Sequence, residues 1–154
     1  MPLHVVLVEP EIAGNTGNIA RTCACTGMRL HLIHPLGFAT DDRTLARAGL
    51  DYWHLLHIEH HNSFDEFFAA EPRTRLFFAV PGAAHRHVDV AFRPGDYLVF
   101  GKESRGLPDY ILENYPGTAI RLPMRPGARS LNLANAVAVI AYEALRQLGF
   151  PGLV

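Results

Sequence analysis

The chain of 154 residues is poor in the residues that mark several large protein classes. Its only two cysteines, Cys23 and Cys25, lie two positions apart, a spacing that strains a disulfide and serves a metal ion poorly. Reduced thiols are therefore expected, as in a reducing compartment. The apolar runs fall far short of the roughly 20 residues that a membrane helix needs. Because the first residues include no basic segment and no cleavage site, we expect a soluble cytoplasmic protein without a membrane partner.

Lysine is also nearly absent, since Lys102 is the only lysine among the 14 basic residues, and the net charge is −1. A near-neutral chain does not by itself indicate nucleic-acid binding. Genomic base composition explains an excess of arginine as well as function does. The local distribution is more informative. Arg121, Arg125 and Arg129 fall within nine residues that contain no acid, which predicts one positive face on a neutral protein.

The rest of the composition is that of a globular protein, 49% hydrophobic and 19% charged, with enough length for one domain spanning 1–154. Apolar runs that suit strands alternate with segments that suit helices. The predicted strands cover 3–8, 29–34, 52–58, 76–80, 97–100 and 119–122. The predicted helices lie at 15–26, 41–49, 63–69, 107–113 and 131–148. This alternation predicts an α/β fold with a mostly parallel sheet covered by helices on both faces.

The segment 10–23 places glycines and asparagines where the first strand turns into the first helix. It contains neither a G-x-G-x-x-G pattern nor a P-loop, so an ordinary tight turn before a capped helix remains open beside a ligand-binding loop. We expect Asn15 or Thr16 to cap this helix and Gly27 to end it. Arg21 lies within a mostly apolar stretch of the helix, where a guanidinium needs an anionic partner.

Two further segments, 98–108 and 120–135, each begin as a buried strand and break into glycine, proline, arginine and small polar residues. Strand ends followed by such loops are where open α/β sheets bind ligands. Glu103 lies in the first loop, where it belongs either to a site or to a surface ion pair. In the second, Ser130 is the predicted cap of the last helix, and Asn132 and Asn135 face the same side of its first turn.

Two other kinds of chemistry are not supported by the residues. A Ser-His-Asp hydrolase would require the nucleophile elbow G-x-S-x-G, which does not occur. The nine histidines include the groups His57, His60, His61 and His85, His87, but no cysteine or carboxylate stands with them at zinc-ligand spacing. We therefore expect no metal, and expect these histidines to lie on a solvated surface.

Taken together, the three segments resemble the signature motifs of the SPOUT superfamily of RNA methyltransferases, in order and in separation. Within it the chain is most similar to the small TrmL (YibK-like) tRNA wobble-nucleotide 2′-O-methyltransferases. The resemblance covers essentially the whole chain. It is carried by E-P-E-I-x-x-N-T-G-N-I-x-R at 9–21, F-G-x-E-x-R-G-L-P at 100–108, and I-R-L-P-M-x-P-x-x-R-S-L-N-L-x-N-A-V at 120–137.

This resemblance implies a deep trefoil knot in the C-terminal part of the sheet, an exception to the rule that chains do not thread loops. It implies a homodimer whose sites are completed by the partner chain. It also implies that S-adenosylmethionine binds in the knot without a metal and leaves as S-adenosylhomocysteine. The cofactor-binding residues so implied are Ala79, Val80, Gly82, Gly101, Glu103, Gly106, Leu122, Met124, Ser130, Leu131 and Asn135.

The implied reaction is methylation of the ribose 2′-hydroxyl of the wobble nucleotide, cytidine or uridine 34, in the anticodon stem-loop of tRNA, with leucine isoacceptors expected. Another tRNA position, ribosomal RNA, and a catalytically inactive dimeric RNA-binding protein remain as alternatives. The implied catalytic residues are Arg21, Asn15, Glu103, Ser130 and Asn132. The implied RNA-binding residues are Arg21, Arg43, Arg121, Arg125 and Arg129.

Overall fold

A computed structural model describes residues 1–39, 55–71 and 74–154. Within these ranges the strands form one sheet in which every paired neighbour is parallel. The strands are β1 (His4–Val8), β2 (Arg29–Ile33), β3 (His57–His61), β4 (Leu76–Ala79), β5 (His85–Arg86), β6 (Tyr97–Phe100) and β7 (Thr118–Arg121). Their order across the sheet is β3-β2-β1-β6-β4-β7-β5.

Helices cover both faces of this sheet, because alternate strand residues are apolar on both sides. The described helices are α1 (Ala13–Thr26), α2 (Phe64–Ala70), α3 (Asp109–Asn114) and α4 (Leu133–Gln147). The core on one face joins α1 and α4 to the sheet, and the core on the other joins α2 and α3. The predicted α/β architecture is confirmed. Among the described helices, none has the length and apolar character to cross a membrane.

Most predicted elements are confirmed within two or three residues, and two strands differ. The strand predicted at 52–58 is observed as β3, which begins at His57 and continues to His61. The two-residue strand β5 was not predicted, since a pair of exposed residues carries no periodicity. The helix predicted at 41–49 lies outside the described residues.

The ends of α1 and α4 are only partly as predicted. Gly27 ends α1 in the left-handed conformation with φ of 75°, as expected. The expected cap at Asn15 or Thr16 is wrong, because α1 begins at Ala13 after Ile12, which offers no capping side chain. The cap of α4 is the Asn132 side chain, which accepts a hydrogen bond from the Asn135 N–H, and not the expected Ser130.

The expectation of surface histidines is wrong for three of the eight histidines in the described ranges. His4, His31 and His61 are buried and form a row of rings across β1, β2 and β3. His4 Nδ1 and His31 Nε2 share a hydrogen bond of 2.9 Å, and His31 Nδ1 and His61 Nε2 share one of 3.0 Å. Burial lowers the pKa of His4 to about 4 and that of His31 to about 3, so both rings are neutral at physiological pH.

Both cysteines are free thiols, as predicted. Cys23 lies on the buried face of α1, and burial raises its pKa to about 12. Cys25 is exposed on the same helix. A buried thiol with so high a pKa is inert, so Cys23 contributes only to packing.

Candidate functional site

A cavity of about 660 Å³ opens at the edge of the sheet where β4, β6 and β7 end. Because the strands are parallel, their carboxyl ends lie along one edge, and the loops that follow them meet there. The cavity is lined by residues 79–81, 100–106, 120–122 and 129–133, with single residues from the start of α1 and from α4. Its volume is within the range of small-molecule sites.

The Glu103 carboxylate fixes the start of α1 against the loop after β6. Its Oε1 accepts a hydrogen bond of 2.8 Å from the Glu11 N–H, and its Oε2 accepts one of 2.8 Å from the Ile12 N–H. Asn15 Nδ2 donates a third, of 3.2 Å, to Oε2. Glu11 and Ile12 immediately precede α1, so the carboxylate holds the entry to the helix and complements the positive end of its dipole.

A reciprocal contact runs in the opposite direction between the same two segments. Glu11 Oε1 accepts hydrogen bonds from the Ser104 N–H at 2.9 Å and from the Ser104 hydroxyl at 2.7 Å. These donors lower the pKa of the Glu11 carboxyl. The Lys102 ammonium lies 3.7 Å from Glu9 Oε1, which adds an ion pair between the loop and the end of β1. The first and second sequence segments are thus joined at several points.

The third segment joins the same network through amides. Asn132 Nδ2 donates a hydrogen bond of 3.0 Å to Asn15 Oδ1, while Asn132 Oδ1 accepts from the Asn135 N–H. Asn15 therefore uses its amide nitrogen for Glu103 and its oxygen for Asn132. The continuous chain of hydrogen bonds from Glu103 through Asn15 to Asn132 links all three segments beside the cavity.

The loop after β6 folds back tightly on itself. The Gly106 N–H donates a hydrogen bond of 2.9 Å to the Lys102 carbonyl. A Cβ added to Gly101 would lie 2.0 Å from the Gly106 carbonyl carbon, so only glycine fits at this position. Gly106 itself has a φ of 69°, the left-handed conformation that glycine adopts without strain. Both glycines are therefore required by the shape of the turn that lines the cavity.

The cavity has an apolar floor and a polar rim. Ile120, Leu133 and Ile140 lie beneath it, and the polar side chains of Ser130 and Asn132 line its edge. Arg121 Nη1 also lies at this site, buried and without a hydrogen-bond partner among the described residues. An unsatisfied donor beside a cavity suits a ligand that supplies an acceptor.

Most of the predicted site residues are brought together by the fold. Those that line the cavity are Asn15, Ala79, Val80, Gly101, Glu103, Gly106, Arg121, Leu122, Met124, Arg129, Ser130, Leu131 and Asn132. Gly82, Asn135, Arg21 and Arg125 lie outside its lining. Arg43 lies outside the described residues.

Arg21 is placed differently from the sequence interpretation. It lies on the exposed side of α1 with Asn18 and Cys25, not among the buried residues of that helix. The reason is helical periodicity, since neighbours in sequence point about 100° apart around the axis. Arg21 also lies six residues after Asn15, about 9 Å along the helix. The expectation that Arg21 lies in apolar surroundings is therefore wrong, while its need for an anionic partner stays a prediction.

Ten cavity residues were not among the predicted site residues. Half of them adjoin predicted residues in the same loops, namely Pro81, Phe100, Lys102, Ser104 and Arg105, and the other five lie elsewhere. Four of these five, Ile120, Leu133, Ala136 and Ile140, belong to the apolar pattern of β7 or α4. A core stripe and a cavity floor have the same composition, so the pattern does not separate them. The fifth, Ile12, precedes α1 and is 51% exposed. An isoleucine within the predicted turn before the first helix was the sequence signal that could have identified it.

Comparison with known families identifies the three segments that meet at the cavity. Residues 2–142 match the model of the SpoU rRNA Methylase family. The chain belongs to the SpoU methylase family. The match spans all three segments that meet at the cavity, so the resemblance to SPOUT methyltransferases is confirmed.

Individual members of the SpoU methylase family are similar over nearly the whole chain. The tRNA (cytidine(34)-2′-O)-methyltransferase of Escherichia coli (strain K12) is 52% identical over 153 residues, which cover 99% of this chain and 98% of that protein. A solved structure described as structural insights into the 2-OH methylation of C/U34 on tRNA has a TM-score of 0.90 and 49% identity, covering 96% of each chain. The SpoU methyltransferase AviRb from Streptomyces viridochromogenes, solved in complex with the cofactor AdoMet, has a TM-score of 0.87 and 26% identity, covering 96% of this chain and 58% of its own.

The role of Glu103 at the start of α1 can be tested by Glu103→Gln. The substitution keeps one oxygen acceptor and replaces the other by an NH₂ group, which faces an N–H donor. We expect the free energy of unfolding to fall by about 1.5–3 kcal/mol, the usual contribution of a hydrogen bond to a charged group. Urea denaturation measures the change. The exposed Glu113→Gln on α3 is the matched control, and equal stability of the two variants would contradict the assignment.

Proposed function

We propose that this protein is an S-adenosylmethionine-dependent tRNA (cytidine/uridine(34)-2′-O)-methyltransferase. The observation that carries the proposal is the similarity, at 52% identity over 99% of the chain, to an enzyme of that name. The hydrogen-bonded network from Glu103 through Asn15 to Asn132 supports it, because the three segments of the family motif meet at one cavity. Methylation of another tRNA position or of ribosomal RNA is the alternative within the family.

The cavity fits the proposed cofactor in size and in chemistry. The apolar floor of Ile120, Leu133 and Ile140 suits an adenine ring, and the loops 79–82 and 101–106 offer backbone groups for its polar edge. The related AviRb, solved with AdoMet, is consistent with this use of the site. When bound, S-adenosylmethionine supplies an electrophilic methyl group, and S-adenosylhomocysteine is the product. We expect no metal in this reaction.

The protein residues must align a ribose 2′-hydroxyl with that methyl group and stabilise the charge that develops on its oxygen. Arg21 carries a permanent positive charge, so it acts as the group that orients the hydroxyl and the adjacent phosphate rather than as a free base. Asn15, Glu103 and Asn132 hold α1 in register with the two loops. The Ser130 hydroxyl lies at the cavity rim, where it is available to the ribose.

The remaining arginines form the proposed RNA contacts. Arg125 and Arg129 are exposed on the loop between β7 and α4, and Arg121 is half-buried at the end of β7. Contacts from such side chains to phosphates position an RNA without reading its sequence. Arg43 is proposed for the same role on the basis of the motif alone. The expected ligand is the anticodon stem-loop of tRNA, with leucine isoacceptors as substrates.

A homodimer would bring Arg21 to a cavity from which it is separated within one chain. α1 and α4 pack side by side on the same face of the sheet. α4 exposes Val139 and Tyr142, with exposed fractions of 46% and 47%, and Ile12 and Leu131 beside the cavity are 51% and 46% exposed. An exposed apolar surface of this kind is typical of a protein interface. We infer that a second copy covers it and that each cavity receives Arg21 from the partner.

Two further properties belong to the same proposal. The C-terminal chain returns from β7 to place α4 beside α1 and β6, and we propose that this path forms the deep trefoil knot of the family. The protein would act in the cytoplasm, where its tRNA substrate is found. Residues 1–154 would form a single SPOUT domain.

The substrate is tested by incubating the purified protein with methyl-labelled S-adenosylmethionine and total tRNA, followed by nucleoside mapping. We expect label in the 2′-O-methylated nucleotide at position 34, since the relatives act there. Label at another position or in ribosomal RNA would support the alternative enzyme. Absence of label in any RNA, with tRNA binding retained, would indicate an RNA-binding protein without catalysis.

Arg21→Ala separates catalysis from cofactor binding. Loss of the guanidinium removes the group that stabilises charge on the 2′-oxygen, so we expect kcat to fall by about 100-fold or more. The Kd for S-adenosylmethionine, measured by calorimetry, should change by less than about 2-fold, because Arg21 lies outside the cavity lining. Arg93→Ala, an exposed arginine just before β6 at the opposite edge of the sheet, is the control and should keep full activity. A collapse of cofactor affinity in Arg21→Ala would overturn the assignment.

Complementation tests whether Arg21 acts across the dimer. Ala136→Phe fills the cavity from α4 and should abolish cofactor binding, while Arg21→Ala leaves the cavity intact. Each variant alone should be inactive. Co-expression should restore about a quarter of wild-type activity, because half of the dimers are mixed and each has one complete site. Mixed dimers without activity would show that Arg21 serves its own chain.

A further inference from the structure

A second cluster of chemically active side chains lies away from the cavity, on β2 and β3. His31 and Glu59 stand opposite each other in the parallel pairing of these strands, and His61 follows two residues later on the same face. Parallel register and two-residue alternation therefore bring two imidazoles and one carboxylate to one point. The separation of 28 and 30 residues along the chain hides this group from any motif search.

The three ligand atoms lie within 4 Å of one another, close enough to bind one ion. His31 Nδ1 lies 3.0 Å from His61 Nε2 and 3.5 Å from Glu59 Oε2, and His61 Nε2 lies 3.9 Å from Glu59 Oε2. A point equidistant from all three atoms lies about 2 Å from each, which is the length of Zn–N and Zn–O bonds. The pairing of β2 and β3 thus already brings the three side chains within bonding distance of one point, where an ion would replace the His31–His61 hydrogen bond.

The surroundings orient these ligands as a metal site requires. His31 Nε2, the ring nitrogen that faces away from the cluster, is hydrogen-bonded to His4 Nδ1 at 2.9 Å. Glu59 Oε1 is hydrogen-bonded to His57 Nε2 at 3.0 Å, which leaves Oε2 directed at the two histidines. Such outer partners fix the ring orientation and the tautomer of metal ligands. The ring of Phe67 packs against both His31 and His61 and holds them in place.

Access to the cluster is from one side only. The side chains of His31 and His61 are 0% and 8% exposed, whereas that of Glu59 is 34% exposed. A bound ion would therefore keep a coordination position on the Glu59 side for water. Two histidines, one glutamate and one water form a known zinc ligand set.

We propose that His31, Glu59 and His61 bind one zinc ion per chain. The ion ties β3, the strand at the edge of the sheet, to its neighbour β2. This site is separate from the cavity and takes no part in methyl transfer. It replaces the expectation, drawn from sequence spacing, that the histidines hold no metal.

Calorimetric titration of EDTA-treated full-length protein with Zn²⁺ tests the site. We expect binding of one ion per chain, and we expect Glu59→Gln to weaken it by at least about 10-fold, since it removes a charged ligand. His60→Gln is the matched control, because His60 is adjacent in the same strand but pairs with His34 at 2.8 Å on the other face. It should change the affinity less than about 2-fold. Loss of binding in His60→Gln alone, or equal affinity in all three proteins, would overturn the proposal.

Two measurements on the wild-type protein avoid any effect of substitution on folding. Co²⁺ in place of Zn²⁺ should give the intense visible absorption of a tetrahedral ion. Histidine ring ¹⁵N spectra should shift at His31 Nδ1 and His61 Nε2 when Zn²⁺ is added, and not at His34 or His60. Unchanged resonances of His31 and His61 in saturating Zn²⁺ would show that the row is a metal-free hydrogen-bonded chain.

Discussion

The arrangement of the cavity depends on one carboxylate. Glu103 accepts hydrogen bonds from the Glu11 and Ile12 N–H groups. These residues immediately precede α1, which has no capping side chain of its own. It also accepts from Asn15, which in turn bonds to Asn132 at the start of α4. A single acidic group thereby sets the relative position of two helices and of the loop after β6. The dipole of α1 adds to this attraction.

The fold was predictable where one strand or helix carries its own signal. β1, β4 and β6 are short apolar runs, and α4 shows an apolar stripe with a period of 3.6 residues. The cap of α1 was not predictable, because its acceptor lies about 90 residues later in the chain. The choice of Asn132 over Ser130 depends on where the loop from β7 delivers the chain to α4. Both wrong predictions concern helix starts that are set by contacts between distant segments. Local helix propensity carries no information about such contacts.

The residues of the candidate site were predictable to a similar extent. The motifs placed thirteen residues that do line the cavity, because a strand end and its loop are adjacent in sequence. The exposure of Arg21 and the burial of His31 and His61 were not predictable in the same way. Histidine occurs both on exposed surfaces and, when hydrogen-bonded, in protein cores. Only the register of β2 and β3 shows that His31 and His61 are buried.

The hydrogen-bonded network beside the cavity joins residues that are far apart in the chain, so its contacts form in a fixed order as the chain is synthesised. α1 leaves the ribosome early, yet Asn15 in its first turn donates to Glu103 and accepts from Asn132, which lies 117 positions later in the chain. These side-chain contacts therefore form only after most of the C-terminal half has been made. The hydrogen-bonded network beside the cavity is therefore complete only after the segment that contains Asn132 has been made.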